Sequence, residues 1–244
     1  LLRNHPLPPT QTTGWNLQIS SVLTRQDRSI DPKRWCERMS LVRSQIESVP
    51  HQRLGDIVEF VPEGKRPQVP SLLYNYAEIE DTGDGVIKPT SLRGWQLPDR
   101  ARHGADTGDI FVGRVWGSVG KWFVAGGDCT NLVMTNGFLR LKLRPDKKDK
   151  LVDLIAALNT EAYRIQARAL CTGSDGLAEL SEINAAEILI PLITDAGAGH
   201  ILATLAQELL AGRATVASAV ELLERDGSIF HADVLARTSH FVQV

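Results

Sequence analysis

The feature that most constrains the fold is an apolar strand that runs directly into a basic loop with three glycines, within residues 108–121. Residues 110–115 can pair in a sheet, and the three glycines permit tight bends and close approach of another backbone. The polar side chains at the rim of this strand are those of Arg114, Ser118 and Lys121. The pattern predicts a rigid strand that carries basic and polar groups at its end.

Composition and cysteine content limit the class of protein. Hydrophobic residues make up 43% and charged residues 23% of 244 residues, as in globular proteins. No stretch reaches the roughly 18 uninterrupted apolar residues of a membrane span, and no signal-peptide pattern opens the chain. Cys36, Cys129 and Cys171 are far apart and odd in number, which disfavours a disulfide framework. We therefore expect a cytoplasmic protein without membrane contact and, because the first residue is Leu1, a fragment or trimmed chain.

The charge distribution is uneven. The formal net charge is -2, which argues against a nucleic-acid partner. Residues 86–168, however, contain 14 Lys or Arg and 8 Asp or Glu, and the remainder of the chain contains 13 basic and 21 acidic residues. This basic middle with acidic flanks can attract a phosphate backbone.

Helical spacing of apolar residues occurs in three parts of the chain. Residues 31–48 predict an amphipathic helix with an aspartate and a proline at its start. Residues 148–169 predict a helical region, and the pattern leaves open whether this is one helix or two that are broken near Asn159. Residues 199–223 indicate two helical segments separated near Gly212.

Short strands bounded by turn residues are predicted elsewhere. Residues 135–137, Thr-Asn-Gly, supply hairpin-turn chemistry before the last strand. We expect an α+β fold in which a twisted, mostly antiparallel sheet is packed with helices and flanked by N- and C-terminal amphipathic helices. The predicted strands lie at residues 15–19, 72–79, 86–88, 109–115, 121–125 and 138–144.

The motifs of common enzymes do not occur in the sequence. There is no HExxH, CxxC or GxSxG motif, no phosphate-binding loop and no dinucleotide fingerprint, and the six histidines are scattered. Asp56, Glu63 and Lys65 have the order of a metal-dependent nuclease, but Glu63 lies between Pro62 and Gly64 in an apparent turn. An adenine methyltransferase would need an Asn-Pro-Pro or Asp-Pro-Pro motif followed by an aromatic residue, and the sequence contains neither. We therefore expect no catalytic residues, no cofactor and no metal.

The order of several short motifs resembles that of target-recognition domains in type I restriction-modification specificity subunits. Residues 108–121 follow the family's pattern Gly-Asp-Ile, two apolar residues, an arginine, and then Gly-Ser and Gly-Lys. The resemblance covers roughly residues 29–193. The other matching segments are residues 29–35, 53–57, 172–174, 180–183 and 188–191.

The resemblance implies a protein that binds double-stranded DNA and performs no chemistry itself. Its implied partners are a DNA methyltransferase subunit and a restriction subunit that translocates DNA. The implied organisation is an N-terminal lead and helix in residues 1–50, a DNA target-recognition domain in 51–193, a helical spacer or dimerisation segment in 194–228 and a tail in 229–244.

A complete specificity subunit of this family has two recognition domains separated by long helices, and this chain has room for one. A homodimer formed through the C-terminal helices would restore the arrangement. The residues expected to line that contact are Leu205, Leu209, Val216, Val220 and Leu223. Packing of these residues against the chain's own domain is the alternative.

Eleven residues are candidates for DNA contact. Arg114 and Lys121 are suited to guanine edges or phosphates. Ser118 and Asn131 are suited to phosphate or adenine, and equally to capping turns. Aromatic residues can pack on sugar or base, although one or two are expected in the core. The aromatic candidates are Tyr74, Tyr76 and Trp116, and the further phosphate candidates are Arg93, Arg140, Arg164 and Arg168.

Two other functions remain open from the sequence. The chain can be the recognition domain of a larger DNA methyltransferase. It can also be a protein-interaction module that has lost DNA binding, as its acidic balance allows. Salt-dependent binding to duplex DNA distinguishes the recognition functions from the interaction module.

Overall fold

The computed structural model describes residues 36–67, 69–173, 177–194 and 196–213. Its helices are α1 (Glu37–Glu47), α2 (Leu54–Ile57), α3 (Leu151–Leu158), α4 (Glu161–Leu170), α5 (Glu182–Ala185) and α6 (Ala196–Leu210), with 3-10 turns at Gly94–Gln96 and Pro145–Lys150. Its strands are β1 (His51–Arg53), β2 (Val58–Val61), β3 (Leu73–Ala77), β4 (Asp84–Gly85), β5 (Thr90–Arg93), β6 (Ala101–Gly104), β7 (Ile110–Gly113), β8 (Trp122–Val124), β9 (Leu132–Thr135), β10 (Phe138–Leu143) and β11 (Leu189–Pro191).

The strands form three sheets. A five-stranded sheet has the order β2-β10-β7-β8-β4, a four-stranded sheet has the order β5-β3-β9-β6, and β1 pairs with β11. Among the described strands, only the β4–β8 and β3–β9 pairs are parallel. The predicted α+β class with a mostly antiparallel sheet arrangement is confirmed.

The five-stranded sheet is the central layer, and β7 shows why. Ile110 and Val112 belong to the large core cluster with the helices, whereas Phe111 packs with Phe123 and Phe138. The phenylalanine cluster also includes Met134 of the four-stranded sheet. Because successive side chains of a strand point to opposite faces, β7 is buried on both sides. Its continuous apolar sequence therefore reflects helices on one face and a second sheet on the other.

Several predicted elements agree with the structure, and one strand is misplaced. The region over 148–169 consists of two helices, because Thr160 caps α4 by accepting a hydrogen bond from the Tyr163 amide. The strand predicted at 86–88 is displaced: β4 covers Asp84 and Gly85, and within 86–88 only Ile87 pairs, in an isolated bridge with Thr82. The predicted strand at 15–19 and the predicted helix start at residue 31 lie outside the described residues.

The C-terminal helix α6 packs on its own domain. Leu205 and Leu209 are buried in the same core cluster as α3 residues, and the Gly127 amide donates to the Leu210 carbonyl at 2.8 Å. The prediction that Leu205 and Leu209 line a contact between two copies is therefore wrong, because burial in their own core leaves them inaccessible. The other predicted contact residues, Val216, Val220 and Leu223, lie outside the described residues.

Candidate nucleic-acid interface

The loop after β7 is a closed turn that requires its first glycine. The Gly113 amide donates to the Lys121 carbonyl at 2.9 Å, and the Ser118 amide donates to the Val115 carbonyl at 2.7 Å. A Cβ on Gly113 would lie 2.7 Å from the carbonyl carbon of Ser118 and closer still to its oxygen. A side chain at this position cannot fit without movement of the turn.

A second segment fixes this loop from the outside. The Trp116 amide donates to the Ala178 carbonyl at 2.9 Å, and the Leu180 amide donates to the Arg114 carbonyl at 2.7 Å. Glu179 lies between them and forms an antiparallel bridge with Val115. We call residues 113–121 and 177–180 together the ledge. Its backbone is positioned by hydrogen bonds on both sides.

Four of the predicted contact residues come together at the ledge. Arg164 and Arg168 lie one turn apart on α4 and so share a face of that helix. The Arg168 guanidinium lies 5.3 Å from the centre of the Trp116 ring, in a cation–π arrangement, and the Arg164 side chain lies beside Gly120, 2.8 Å from where a Cβ on that residue would be. Arg114 follows β7 in the same loop. Trp116 is nevertheless 48% exposed, so an accessible indole and the Arg168 guanidinium meet at one surface.

Two further loop residues are bonded within the protein. The Lys121 ammonium donates to the Ile79 carbonyl at 2.7 Å. Ser118 is buried, and its hydroxyl donates to the Val115 carbonyl at 2.9 Å, which closes the turn. Both side chains thus stabilise the loop in this structure, and the Ile79 carbonyl takes one of the three donors of the Lys121 ammonium.

The other predicted residues lie away from the ledge. Tyr74 and Tyr76 are buried among Leu97, Ala101 and Val133, and burial raises the pKa of Tyr76. The structure therefore places both tyrosines in the core, where they cannot stack on a base without opening of the four-stranded sheet.

Asn131, Arg93 and Arg140 also have local partners. Asn131 has a φ of 59° in the turn before β9, a conformation that asparagine tolerates. Arg93 is exposed on β5 and donates to the Ser71 carbonyl at 3.2 Å. Arg140 donates to Asp109 and Asp106 at 2.7 Å each, and Asp109 is fully buried. Arg140 is thus part of an ion-pair network, in which the Lys142 ammonium lowers the pKa of Asp106.

Glutamates from outside the basic middle reduce its positive charge. The sequence places 14 cations in residues 86–168, but in the described part of the chain the fold pairs four of them with acids from outside that segment. An ion pair of this kind leaves less positive charge for a phosphate backbone. The pairs are Arg100 with Glu78 at 2.6 Å, Arg102 with Glu63 at 3.8 Å, Arg114 with Glu179 at 2.9 Å and Arg144 with Glu59 at 3.5 Å.

A cleft of about 620 Å³ adjoins the ledge. Arg100 and Arg114 lie on its wall together with the turn between β9 and β10. The acidic residues that line it are Glu63, Glu78, Glu80 and Glu179. The ledge therefore borders a surface of mixed charge. The sequence did not point to Glu179 as a functional residue, because it lies 65 positions from its partner Arg114 and within no recognisable motif.

The described residues give no support to a nuclease site. Asp56 lies on α2 and Glu63 lies in an irregular segment where it pairs with Arg102, whereas metal-dependent nucleases need acids on adjoining strands. Within residues 36–213, apart from the short gaps, no three His, Cys, Asp or Glu side chains are grouped as metal ligands. No helix of the described part of the chain is both long and apolar enough to cross a membrane.

No protein-family model and no curated protein matches the sequence. Solved structures do match the fold. A chain of a type I R-M system, from work on complex assembly and conformational transition, has a TM-score of 0.52 at 17% identity, over 79% of this chain and 48% of that chain. The HsdS subunit from Thermoanaerobacter tengcongensis has a TM-score of 0.50 at 16% identity, over 80% of this chain and 47% of that chain. The chain has an HsdS-like fold.

This likeness agrees with the family resemblance of the loop motifs at the level of the fold. The HsdS-like chain spans about half the length of both solved chains, 48% and 47%. At 16 to 17% identity the likeness is one of backbone arrangement only. Support for the candidate DNA-contact residues therefore comes from the geometry of the ledge itself.

Proposed function

We propose that the HsdS-like chain is a sequence-specific DNA recognition module of a type I-like restriction-modification system. In this proposal it directs a partner methyltransferase subunit, and a restriction subunit that translocates DNA, to their site in the cytoplasm. It binds no cofactor and performs no chemistry itself. The observation that supports the proposal most is the ledge, where the Arg168 guanidinium lies over the exposed Trp116, with Arg114 in the same loop and Arg164 one turn away on α4.

The ledge offers the groups that DNA binding uses. Arginine pairs with phosphates and is the commonest bidentate reader of guanine, and an exposed indole can pack against sugar or base. Hydrogen bonds to residues 177–180 fix the direction in which Arg114 leaves the backbone. A fixed reader loses less conformational entropy on binding than a mobile one.

The proposed partner arrangement is supported by how much of the solved chains this chain matches. A bipartite DNA site needs two recognition domains, and this chain spans about half of the solved chains, 48% and 47%. We propose that a second copy, or a second recognition domain, supplies the other half. Since Leu205 and Leu209 are buried, a homodimer contact would use other residues, of which Val216, Val220 and Leu223 remain the proposed ones.

One observation favours a second candidate function. The glutamates paired with Arg100, Arg102, Arg114 and Arg144 reduce the positive charge of the surface. A protein-interaction module that has lost DNA binding would have such a surface. The test below therefore has to separate the two functions.

The test is binding to a labelled mixed-sequence duplex and to a duplex selected by the wild-type chain from a random library, measured across salt concentrations. Arg114→Ala should cost about 1 to 3 kcal/mol on the selected duplex and relax discrimination at one base pair. Lys121→Ala should weaken binding to both duplexes alike and lower the salt slope by about one ion, if the ammonium also donates to a phosphate.

Lys148→Ala is the matched control. Lys148 is an exposed cation on the 3-10 turn that follows β10, whereas the ledge adjoins the start of β10 at Phe138. Its loss removes one positive charge without touching the ledge. Absence of salt-dependent binding by the wild-type chain at low salt would support the interaction module instead. Equal losses in the Arg114, Lys121 and Lys148 variants would show that the ledge is not the interface.

A further inference from the structure

The backbone holds Glu179 in a fixed position opposite Arg114. The Glu179 amide donates to the Thr172 carbonyl, and the Thr172 amide donates to the Glu179 carbonyl, both at 2.9 Å. The neighbouring residues are bonded to the loop, through Ala178 to Trp116 and through Leu180 to Arg114. The Glu179 carboxylate is therefore placed by hydrogen bonds on both sides of its backbone.

The resulting ion pair engages only part of the arginine. A terminal nitrogen of Arg114 lies 2.9 Å from Oε2 of Glu179, with the two side chains 27% and 49% exposed. The Nε of Arg114 is buried and has no acceptor among the described protein groups. A guanidinium that reads a base edge or a phosphate in bidentate fashion needs two neighbouring donors. In the free chain one terminal nitrogen of Arg114 is already paired with the Glu179 carboxylate.

We propose that Glu179 determines the stringency of DNA recognition by competing with DNA for Arg114; this rests on the DNA recognition function proposed above. A phosphate that approaches Arg114 must replace the carboxylate or share the guanidinium with it, and the two anions repel each other. A non-specific duplex thus exchanges one ion pair for another and gains little at Arg114. A guanine edge in the correct sequence carries no net charge, so the carboxylate does not repel it and the two can share the guanidinium of Arg114.

The same cleft is lined by a second pair of this kind. Arg100 lies 2.6 Å from Glu78, and both residues line the cleft beside Arg114 and Glu179. Each arginine belongs to residues 86–168, and each glutamate lies outside that segment. The arrangement means that the fold places a competing carboxylate at two arginines of one surface. Such competition disfavours wrong partners at a small cost in affinity for the right one.

The experiment compares Glu179→Gln with Glu182→Gln. Glu182 is exposed in the first turn of α5, three residues further along the chain, so both substitutions change the net charge equally. Glutamine at 179 keeps the size of the side chain and leaves the backbone bonds in place. Glu179→Gln should bind the mixed-sequence duplex about fivefold more tightly, because an exposed pair contributes up to about 1 kcal/mol. Its salt slope should rise by about one ion, while Glu182→Gln stays within about twofold of wild type.

A second measurement isolates the pair itself. The two glutamate substitutions are repeated in the Arg114→Ala background, where Glu179→Gln should have no more effect than Glu182→Gln. On the selected duplex, Glu179→Gln should change affinity less than on the mixed duplex, so the ratio of the two affinities falls. Folding of each variant is checked by its urea midpoint.

The outcomes separate this inference from the proposed function. If the wild-type chain binds DNA and the two glutamate variants behave alike, Glu179 does not compete for Arg114, and the recognition function stands. An effect of Glu179→Gln that persists in the Arg114→Ala background also overturns the inference. If the wild-type chain shows no salt-dependent binding to either duplex, the proposed function and the inference both fail.

Discussion

Substitution of Gly113 by alanine tests whether the loop after β7 is as closely packed as its geometry indicates. The added Cβ would lie 2.7 Å from the carbonyl carbon and 2.9 Å from the hydroxyl oxygen of Ser118. Carbon atoms in contact prefer about 3.5 Å, so Ser118 or Gly113 has to move by at least about 0.8 Å, and further to clear the Ser118 carbonyl oxygen, which lies closer still. Gly113 itself is paired with Phe138 in the β7–β10 ladder, which opposes movement on that side.

The expected cost follows from the bonds that the movement disturbs. The Ser118 amide is bonded to the Val115 carbonyl at 2.7 Å, and the Ser118 carbonyl accepts from the Lys121 amide at 2.8 Å. Loss of both bonds costs about 1 kcal/mol each, and crowding of a packed site adds about 1 kcal/mol or more. We therefore expect the free energy of unfolding to fall by roughly 3 kcal/mol.

Gly117→Ala is the control within the same loop. No atom lies within 4 Å of a Cβ at Gly117, and its φ lies outside the left-handed range. Its free energy of unfolding should stay within about 0.5 kcal/mol of wild type. The assay is urea unfolding followed by tryptophan fluorescence and circular dichroism, with the m-value as a check on two-state behaviour. A Gly113→Ala variant as stable as Gly117→Ala would refute the packing argument.

Two further predictions concern the core. Burial lowers the pKa of His103, with Glu63 opposing and Arg140 adding to the shift. The unfolded chain then binds the proton more strongly, so stability is complete above the unfolded pKa of about 6.5 and falls as the pH decreases toward the folded pKa. Urea unfolding at pH 7.5 and pH 5 should show this loss of stability, and the loss should be smaller in His103→Phe. An equal pH dependence in both proteins would show that His103 is not its cause. Leu205→Ala removes a fully buried side chain, so the free energy of unfolding should fall by about 2 to 5 kcal/mol while the sedimentation coefficient stays the same. Unchanged stability together with a lower oligomeric state would instead show that Leu205 lies in a contact between two copies.

Elements with a strong local pattern could be predicted from the sequence. The helical spacing of apolar residues in 31–48 predicted an amphipathic helix, and the apolar residues Met39, Val42 and Ile46 of α1 are buried. The apolar run before Gly113 predicted β7, and the Thr-Asn-Gly turn at 135–137 predicted the start of β10. These patterns depend on residues that are close along the chain, since the periodicity of a helix or strand is a local property.

The tertiary structure alone decided which side chains are available at the surface. The sequence count of 14 cations in residues 86–168 could not show that Glu179 pairs with Arg114 or that Glu78 pairs with Arg100. Likewise, helical spacing marks Leu205 as apolar without saying which surface it faces, and the fold buries it in its own core. Periodicity identifies the element and its apolar side, whereas pairing and burial depend on residues that folding brings together from distant parts of the chain. The sequence by itself therefore determined the helices and strands of this HsdS-like chain and the loop with three glycines after β7. Its three-dimensional packing decided the net charge of the ledge and which of its residues are accessible.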